Sequence, residues 1–486
     1  MNPHSLARRT AIGNAAVLLA LAGCATNPAT GRRQISLVSE SQEIQIGQEA
    51  DPAVTAQMGG LYPDSAVQRY VRDVGLRLAA SSERPGLPWS FKLLDDDLVN
   101  AFALPGGFVY ITRGILGYMN SEAELAAVLG HEIGHVTARH SATQITRMQL
   151  GQLGLGIGMI LSETVRNYGQ ALSTGMQLMF LKYGRDDERQ ADALGFRYMT
   201  RLTWDPHGMT EVMRMLDSTS PANGGGLPNW LSTHPDPGDR VAANEQRIAQ
   251  SNTDFSQYAV NRDPFLQRLE GMVFGPDPRN GYFIAKRFLQ PTLRFEVTFP
   301  AGWATHNGAQ AVQAGSPAQD AAMQLSFADA TSVADAASKL AGTEGVTVVR
   351  SSTQPVNGLP ARLLEFDMQT QSGAIHGLVL YVELGGQVYE VAGYSLATKW
   401  AGYATPVAQA LGSFRGLSDS RYLNVAPHRI EIVRLPGAMS FGDFMQRYPS
   451  TVSADQIRLA NQVEASATLP AGRLMKRVTG GRVPTQ

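Results

Sequence analysis

Three residues of this sequence, His131, Glu132 and His135, have the types and the spacing of a metal-dependent hydrolase. They form the pattern H-E-x-x-H within VLGHEIGHVTARH, residues 128–140. Positions four apart share one face of a helix, so the two histidines can hold one metal ion together. Glu132 is offset from His131 by about 100°. That offset places its carboxylate beside the ion rather than on it, where it can deprotonate a bound water as a general base.

The motif requires a helix, and the surrounding residues favour one. Ser121 with Glu124 three positions later is a capping box. An apolar stripe follows at helical spacing, formed by Leu125, Val128, Leu129 and Val136. His140 is nine residues past His131 and lies on the opposite face if the helix continues. It is therefore predicted not to be a ligand.

A third metal ligand is expected in YGRDDERQAD, residues 183–192. A catalytic zinc site commonly takes two histidines and one glutamate and leaves one position for water, so Glu188 is the predicted third ligand. Asp192, four residues later on the same face, is predicted to accept the free N–H of a ligating histidine and to fix its tautomer. Asp186 and Asp187 remain rivals for the ligand role, and a solvated helix face is the alternative for the carboxylate pair.

Further downstream, WLSTHPDPGDR at 230–240 contains two more candidate catalytic residues. Arg240 or His234 could stabilise the oxyanion that forms when water attacks a peptide carbonyl. His234 could instead occupy the fourth zinc position in a resting state. The alternative is a Pro-rich surface turn.

Upstream of the motif, strands are predicted at 90–94 and 107–112. A strand beside the catalytic helix would be suited to hold an extended peptide as one more strand. The segment between the two strands is therefore predicted to bind substrate through Asn100, Ala101, Phe102 and Ala103. The alternative is an ordinary hairpin connection.

Downstream of the motif helix, residues 148–161 are apolar and rich in glycine but too short and too interrupted for a membrane span. Each glycine disfavours a helix by about 1 kcal/mol, so the segment is predicted to be mobile. A lid over the active site, a plain core helix and an apolar loop touching the membrane surface remain open.

The N-terminus has the pattern of a targeting segment. Arg8 and Arg9 precede a short apolar run at 11–22, and the run ends in Leu-Ala-Gly before Cys24, the only cysteine of the chain. This resembles a bacterial lipoprotein signal, cleaved before Cys24, which is then lipidated and anchors the protein to a membrane. The absence of aspartate at position 25 resembles outer-membrane sorting, with the protein facing the periplasm.

Six motifs, in order, resemble the membrane-associated gluzincin zinc metallopeptidases that include HtpX and the CAAX prenyl proteases, and the periplasmic lipoprotein members of that family most of all. The motifs are NPATGRR, SLVSE, NAFALPGG, GHEIGH, YGRDDERQAD and LSTHPDPGDR, and the resemblance spans about residues 27–247. The family is mostly helical around a small sheet. One departure is Gln190, where the family more often has a second glutamate.

The resemblance implies one Zn²⁺ per chain, held by His131, His135 and Glu188, with Glu132 as the general base. Asp192 then matches the acid that supports a ligand. Two later positions of the family pattern are matched by His234 and Arg240. Members with a lipoprotein signal act in envelope quality control, so unfolded or misassembled envelope proteins are the expected substrates.

The second half of the chain changes character. Short alternating runs from residue 293 onward predict an antiparallel sheet with a few helices, hence an α+β accessory domain with no catalytic constellation. The end of the chain reads strand, helix, helix, strand, and resembles a LysM-like module that departs from the family at the turn 437–439. Peptidoglycan binding and a purely structural role are both open for it.

These observations predict an α+β protein with a mostly helical metalloprotease domain containing a small sheet. The expected division is 1–23 signal peptide, 24–255 metalloprotease, 256–420 accessory domain, and 421–486 LysM-like module with a tail. A formal net charge of -1 gives no reason to expect nucleic acid as a partner.

The predicted function is zinc-dependent endoproteolysis in the bacterial cell envelope, by Glu-assisted attack of a zinc-bound water. Peptidoglycan or the envelope assembly machinery are possible further partners. The alternative is a chaperone-like or assembly lipoprotein whose protease site is latent or secondary. An intact Glu132 favours the enzyme, because a pure scaffold has no need of a general base.

Overall fold

The computed structural model describes residues 24–152, 181–218, 234, 237–370 and 373–484. Its contacts divide the described chain into two compact units. The first contains the residues up to 55, 60–275 and 429–479, and the second contains 56–59, 276–428 and the residues from 480 onward. Helices and strands are both abundant, which confirms the predicted α+β class.

Some predictions fall outside this description. The predicted signal segment 1–23 lies outside the described residues, as does most of the glycine-rich segment, 153–161. The described chain begins with a short hairpin in which Cys24–Thr26 pairs antiparallel with Arg33–Ile35. Within the described residues, no helix is both long and apolar enough to cross a membrane.

A three-stranded sheet precedes the H-E-x-x-H motif. Its central strand is Phe108–Thr112, which runs parallel to Ser90–Leu94 on one side and antiparallel to Ala101–Leu104 on the other. The two predicted strands are confirmed. The third strand, Ala101–Leu104, was expected to be part of a connection; it forms an edge of this sheet among the described residues, and we call it the edge strand.

The motif lies on the helix Glu122–Thr137, here called the motif helix, and all but the first of its residues are buried. It begins after Ser121 as predicted, because the Ser121 hydroxyl accepts a hydrogen bond from the backbone N–H of Glu124 at 3.1 Å. The reciprocal half of the predicted capping box differs, since the Glu124 carboxylate accepts from the backbone N–H of Asn120 instead of that of Ser121. The other described helices of the first unit, apart from those of its C-terminal segment, are Glu40–Gln57, Ser65–Ala80, Arg113–Tyr118, His140–Gln152, Arg185–Arg201, His207–Ser218, Pro237–Gln250 and Arg262–Arg268.

The second unit is built on an antiparallel seven-stranded sheet, as the alternating runs predicted. Its strands are, in spatial order, Val346–Thr353, Ala361–Thr370, Gly373–Leu384, Gln387–Leu396, Ala321–Phe327, Ala311–Gly315 and Ala304–Asn307. A smaller sheet contains, in spatial order, Arg415–Gly416, Phe295–Thr298, Arg287–Gln290 and Tyr282–Ile284. The helices of this unit are Val333–Ala341, Ala404–Gly412 and Ser420–Leu423, with short 3-10 turns at Pro278–Asn280 and Trp400–Gly402.

The C-terminal segment has the predicted order of strand, helix, helix and strand. These elements are Ala426–Arg434, Phe441–Arg447, Ala454–Asn461 and Leu474–Arg482, with a second strand pair formed by Met439–Ser440 and Thr468–Leu469. Its residues 429–479 belong to the same compact unit as the motif helix. The domain boundary at 421 stays a prediction.

One contact of this segment bears on the site. The buried Lys476 ammonium donates to the carbonyl oxygens of Gly117 and Met119, at 2.8 and 2.6 Å, in the turn just before the motif helix. The Gln462 amide donates to Glu124 Oε2, at 2.6 Å, in the first turn of that helix. The C-terminal segment therefore holds the start of the motif helix.

Candidate metal centre

The motif helix and the helix Arg185–Arg201 approach each other closely enough to bring their polar residues together. A Cβ atom at Gly134 would lie 2.9 Å from the carbonyl oxygen of Ala191 and 3.0 Å from its Cα, which is closer than a real side chain could lie. Only glycine permits this approach. Gly134, the second glycine of GHEIGH, therefore sets the distance between the two histidines and Glu188.

Four buried side chains converge at this contact, namely His131, His135, Glu188 and His234. Each offers one ligand atom, and these atoms all lie within 4.8 Å of one another. The structure thus brings the three predicted ligands together with the candidate for a fourth position. Of the rivals for the third ligand, Asp186 is fully solvated and Asp187 caps its own helix by accepting from the backbone N–H of Gly184.

The distances between these atoms fit a tetrahedral ion. His131 Nε2 lies 3.0 Å from His135 Nε2 and 3.5 Å from Glu188 Oε2. His234 Nδ1 lies 3.3 Å from His131 Nε2 and 3.0 Å from Glu188 Oε1. Zinc ligands about 2.0–2.1 Å from a tetrahedral centre are separated from one another by about 3.3 Å. The donor set, two or three imidazoles and one carboxylate, is also one that zinc prefers.

Asp192 and Arg240 support this donor set from behind. Asp192 Oδ1 lies 2.9 Å from His131 Nδ1, which leaves Nε2 of that histidine facing the other donors. Arg240 donates to both Asp192 oxygens, from Nε at 2.8 Å and from Nη2 at 2.7 Å, while its Nη1 lies 2.8 Å from Glu188 Oε2. Such a two-pronged contact is typical of an arginine that fixes a carboxylate. The structure places Arg240 against two carboxylates.

The electrostatics keep His131, Glu188 and Asp192 in the forms that a metal site needs. Burial, together with the nearby Arg240 charge, lowers the pKa of His131 to about 3, so the imidazole is neutral. Burial raises the pKa of Glu188, but the charges of His234 and Arg240 outweigh it and hold that pKa well below its usual range. Burial also raises the pKa of Asp192, but the charge and hydrogen bonds of Arg240 outweigh burial and lower that pKa below its usual range. Neutral histidines and ionised carboxylates are the forms that bind metal ions.

Glu132 differs from the other carboxylates of the site. Its side chain is fully buried, and neither carboxylate oxygen has a hydrogen-bond partner among the described residues. Burial raises its pKa to about 7. The His234 ring lies close to it, with Nε2 3.7 Å from Glu132 Oε1. A buried carboxylate without a donor is costly to keep, and a pKa near neutrality suits a group that exchanges protons.

The predicted substrate residues lie on or next to the edge strand. Asn100 directly precedes it, and its backbone carbonyl accepts from the backbone N–H of Thr112. Ala101, Phe102 and Ala103 are part of it and are buried, with the Phe102 ring stacked on Tyr110 at 4.8 Å. The described residues supply no further strand to this edge.

His140 is closer to the site than the sequence suggested. The prediction that it lies on the opposite face of a continuous helix is wrong, because the motif helix ends at Thr137 and Arg139 adopts a left-handed backbone with φ of 61°. The turn brings His140 Nδ1 to 2.9 Å from His135 Nδ1. His140 is not among the four converging donors.

Tyr183 is a second residue that sequence reasoning missed. Its ring stacks on the His135 ring at a centroid distance of 3.9 Å, and its hydroxyl pairs with that of Ser141 at 2.9 Å. The only signal for it is its place five residues before Glu188, and spacing alone gives a tyrosine no chemical role.

Comparisons with known proteins agree with this geometry. The family model described as Peptidase family M48 matches residues 65–248. The mitochondrial metalloendopeptidase OMA1 of Schizosaccharomyces pombe is 30% identical over 251 residues, which cover 49% of this chain and 72% of that protein. The chain belongs to peptidase family M48. The family predicted from the motifs is therefore confirmed, and membership of this metallopeptidase family implies a metal cofactor.

A second M48 relative is the beta-barrel assembly-enhancing protease of Escherichia coli strain K12. It is 31% identical over 252 residues, which cover 47% of this chain and 50% of that protein. This chain thus spans about half the length of the first curated relatives that it matches. Among solved structures, cyanobacterial PsbP (CyanoP) from Synechocystis is 14% identical over 28% of this chain and 95% of that one, with a TM-score of 0.24. That score is too low to support a conclusion about fold.

Proposed function

We propose that this M48 member is a zinc-dependent endopeptidase of the bacterial cell envelope that hydrolyses unfolded or misassembled envelope proteins. The observation that carries the proposal is the buried cluster of His131, His135 and Glu188 beside a Glu132 carboxylate that has no hydrogen-bond partner in the described part of the chain. A scaffold would gain stability by losing this carboxylate. A hydrolase requires it.

The metal would be held by Nε2 of His131, Nε2 of His135 and the Glu188 carboxylate, whose atoms lie 3.0–3.5 Å apart. A zinc ion bound there lowers the pKa of water towards about 7 and polarises a peptide carbonyl. Asp192 keeps the proton of His131 on Nδ1, so that Nε2 presents its lone pair. The contacts of Arg240 favour a positioning role for it over direct stabilisation of the oxyanion.

Glu132 is the proposed general base. Its carboxylate takes a proton from the water molecule as the water oxygen forms its bond to the peptide carbonyl carbon. The same proton is then donated to the nitrogen of the leaving amine as the peptide C–N bond breaks, and Glu132 returns to the carboxylate form. Burial, which raises its pKa to about 7, favours both halves of this exchange.

His234 is proposed to close the site at rest. Its Nδ1 atom lies within 3.3 Å of two predicted ligand atoms, at the corner that water would need. The ring must move away before a peptide and water can enter together. The same observation favours the second candidate function, an assembly lipoprotein whose protease site is latent.

An extended peptide is proposed to bind along the edge strand through Asn100, Ala101, Phe102 and Ala103. Main-chain hydrogen bonds along a strand are largely independent of side chains, which suits an enzyme that acts on unfolded chains. The support is that the described residues leave this edge without a partner strand.

The proposed location is the outer membrane, facing the periplasm, with a lipid anchor at Cys24. Its support is the lipoprotein-like signal and the likeness to a beta-barrel assembly-enhancing protease, whose name places it in envelope assembly. The envelope assembly machinery is accordingly a proposed partner. Retention of the full chain on purified peptidoglycan would support a glycan-binding 421–486 module, and passage without retention would make that module structural.

The proposal is tested by cleavage of an unfolded outer-membrane protein by the wild type and by Glu132→Gln, with zinc content measured in both. We expect one zinc per chain in each protein and cleavage by the wild type alone. Equal cleavage by both, or a wild type without zinc, would refute the endopeptidase. A zinc-loaded wild type that does not cleave, together with a His234→Ala variant that does, would support the latent form.

A further inference from the structure

The two predicted histidine ligands are supported in different ways. His131 is hydrogen-bonded to a carboxylate, that of Asp192, whereas His135 is hydrogen-bonded to another histidine. His135 Nδ1 lies 2.9 Å from His140 Nδ1, and His140 Nε2 lies 2.8 Å from Gln190 Oε1. His135 and His140 are almost fully buried. The chain of hydrogen bonds from Gln190 to His135 is therefore continuous, and its two histidines are shielded from water.

The chemistry of these atoms sets the direction of the hydrogen bonds. An amide oxygen can only accept, so His140 must carry its proton on Nε2. A carboxylate oxygen of Asp187, 3.7 Å from the same nitrogen, favours the same arrangement. The other nitrogen of a neutral His140, Nδ1, is then an acceptor, and His135 must donate to it from Nδ1. The lone pair of His135 is left on Nε2, which faces the other donors of the site.

We infer that His140 and Gln190 are positioning residues that fix the tautomer and the orientation of the His135 ring for metal binding. The inference rests on the proposed function and deepens it, because it names how the second histidine ligand is held. Tyr183, stacked on the same ring at an angle of 26°, restricts its tilt. The hydrogen bond fixes rotation within the ring plane, so the two contacts together leave the ring one orientation.

The backbone explains why a histidine five residues past His135 can do this. Arg139, at the break between two helices, is held by an ion pair with Glu43 and by a hydrogen bond from its Nη2 to the Val38 carbonyl at 2.6 Å. Its left-handed conformation turns the next helix so that His140 faces back to the site. A continuous helix would place His140 well away from His135.

The hydrogen bonds from His135 through His140 to Gln190 also predict that the two histidine ligands are supported with different strength. Asp192 is a charged acceptor, and charged hydrogen bonds are about twice as strong as neutral ones. The hydrogen bonds that support His135 end in a neutral amide, that of Gln190. Replacing Gln190 with glutamate keeps an acceptor at the same place and adds the charge, so Gln190→Glu is expected to preserve or tighten metal binding.

The test is the zinc dissociation constant of the full-length protein, measured by competition with a chelator. Gln190→Met removes the acceptor at a partly exposed site, and loss of such an outer partner weakens metal binding about 10–100-fold. We expect the Kd to rise by about tenfold or more in Gln190→Met, and to return to the wild-type value or below in Gln190→Glu. Gln144→Met, on the helix that begins at His140, is the matched control and is expected to change nothing.

Two further readouts separate positioning from loss of structure. The melting temperature of the metal-free protein is expected to stay the same in Gln190→Met, and the visible spectrum of the cobalt-loaded protein is expected to change in that variant alone. A second variant, His140→Phe, is expected to weaken zinc binding in the same way.

Failure of this inference is distinct from failure of the proposed function. A zinc-binding wild type whose Kd is the same in Gln190→Met and Gln144→Met would overturn the positioning role and leave the peptidase intact. A wild type that binds no zinc would overturn both.

Discussion

The ion pairs of the candidate metal centre and those of the second unit occupy different environments. At the candidate metal centre, the side chain of Arg240 is 3% exposed and its partners Glu188 and Asp192 are 1% and 2% exposed. In the second unit, every arginine or lysine of a described ion pair is between 32% and 76% exposed. Both partners of the pairs at the candidate metal centre are removed from water, whereas the cation of each described second-unit pair remains partly exposed to it.

The difference indicates where function lies. Removing an ion from water costs several kcal/mol even after relaxation, and a buried pair is often no more stable than apolar side chains of the same size. A fold therefore keeps such pairs for a reason other than stability. At the candidate metal centre the buried charges surround three predicted metal ligands and the Glu132 carboxylate, which has no hydrogen-bond donor among the described residues. In the second unit the cationic side chains of the described pairs remain exposed at the surface.

The sharpest test of this contrast compares two buried glutamates. Glu188→Gln replaces a metal ligand, whereas Glu296→Gln changes a buried carboxylate of the second unit that is held by Arg287 and Arg415. Losing a ligand should exceed the roughly 10–100-fold cost of losing an outer partner. We expect the zinc Kd of Glu188→Gln to rise by more than about 100-fold, with loss of cleavage. Glu296→Gln should match the wild type in both measurements, and zinc retained by Glu188→Gln would contradict the assignment.

The second test concerns stability. Arg240→Met leaves the carboxylates of Glu188 and Asp192 buried without a cation. Breaking a buried pair in this way typically costs about 3–5 kcal/mol. We expect the free energy of unfolding in urea, measured on the metal-free protein, to fall by about that amount. A decrease under about 1 kcal/mol would make this arginine equivalent to a surface residue.

The third test uses pH. Burial raises the pKa of Glu124 to about 7, Glu211 adds to the rise, and the Gln462 hydrogen bond opposes it. The folded protein therefore holds this proton more tightly than the unfolded chain does. The resulting stabilisation is complete below the ordinary pKa of glutamate and is lost as pH rises through about 7. A pKa change of this size corresponds to about 3 kcal/mol.

Glu124→Gln removes that proton equilibrium. Between pH 4.5 and 7.5, the unfolding free energy of the wild type is expected to fall relative to that of the variant by up to about 3 kcal/mol. Urea unfolding of both proteins across this range measures the difference. Parallel pH profiles would show that Glu124 is ionised in the folded state.

The smallest effect is expected in the second unit. Arg350 pairs with Glu365 at 2.6 Å, and its side chain is 76% exposed. Exposed pairs contribute about 0–1 kcal/mol. Arg350→Met should therefore change the free energy of unfolding by less than about 1 kcal/mol. A loss as large as that of Arg240→Met would remove the contrast between the units.

The convergence of His131, His135 and Glu188 could be predicted because the spacing of these residues is local. His131 and His135 lie one turn apart, as do Glu188 and Asp192, and the chemistry of zinc restricts which of these side chains coordinate it. The helix start at Ser121 was predictable for the same reason, since a cap is read from neighbouring residues. The alternating runs of the second half likewise predicted an antiparallel sheet.

Other features depend on backbone angles or on distant contacts, and the sequence did not reveal them. The position of His140 follows from a left-handed arginine, which few sequences signal. Lys476 reaches the carbonyl of Met119, 357 positions earlier in the chain. The edge strand lies in a segment that also reads as a turn, and only its pairing with Phe108–Thr112 distinguishes the two.

The central claim is that the buried cluster of the first unit holds one zinc ion. Anomalous diffraction from zinc-loaded crystals, recorded on both sides of the zinc absorption edge, locates such an ion directly. We expect a single peak about 2.0–2.2 Å from Nε2 of His131, Nε2 of His135 and a carboxylate oxygen of Glu188. Absence of a peak at this position, or a peak bound by other residues, would contradict the account.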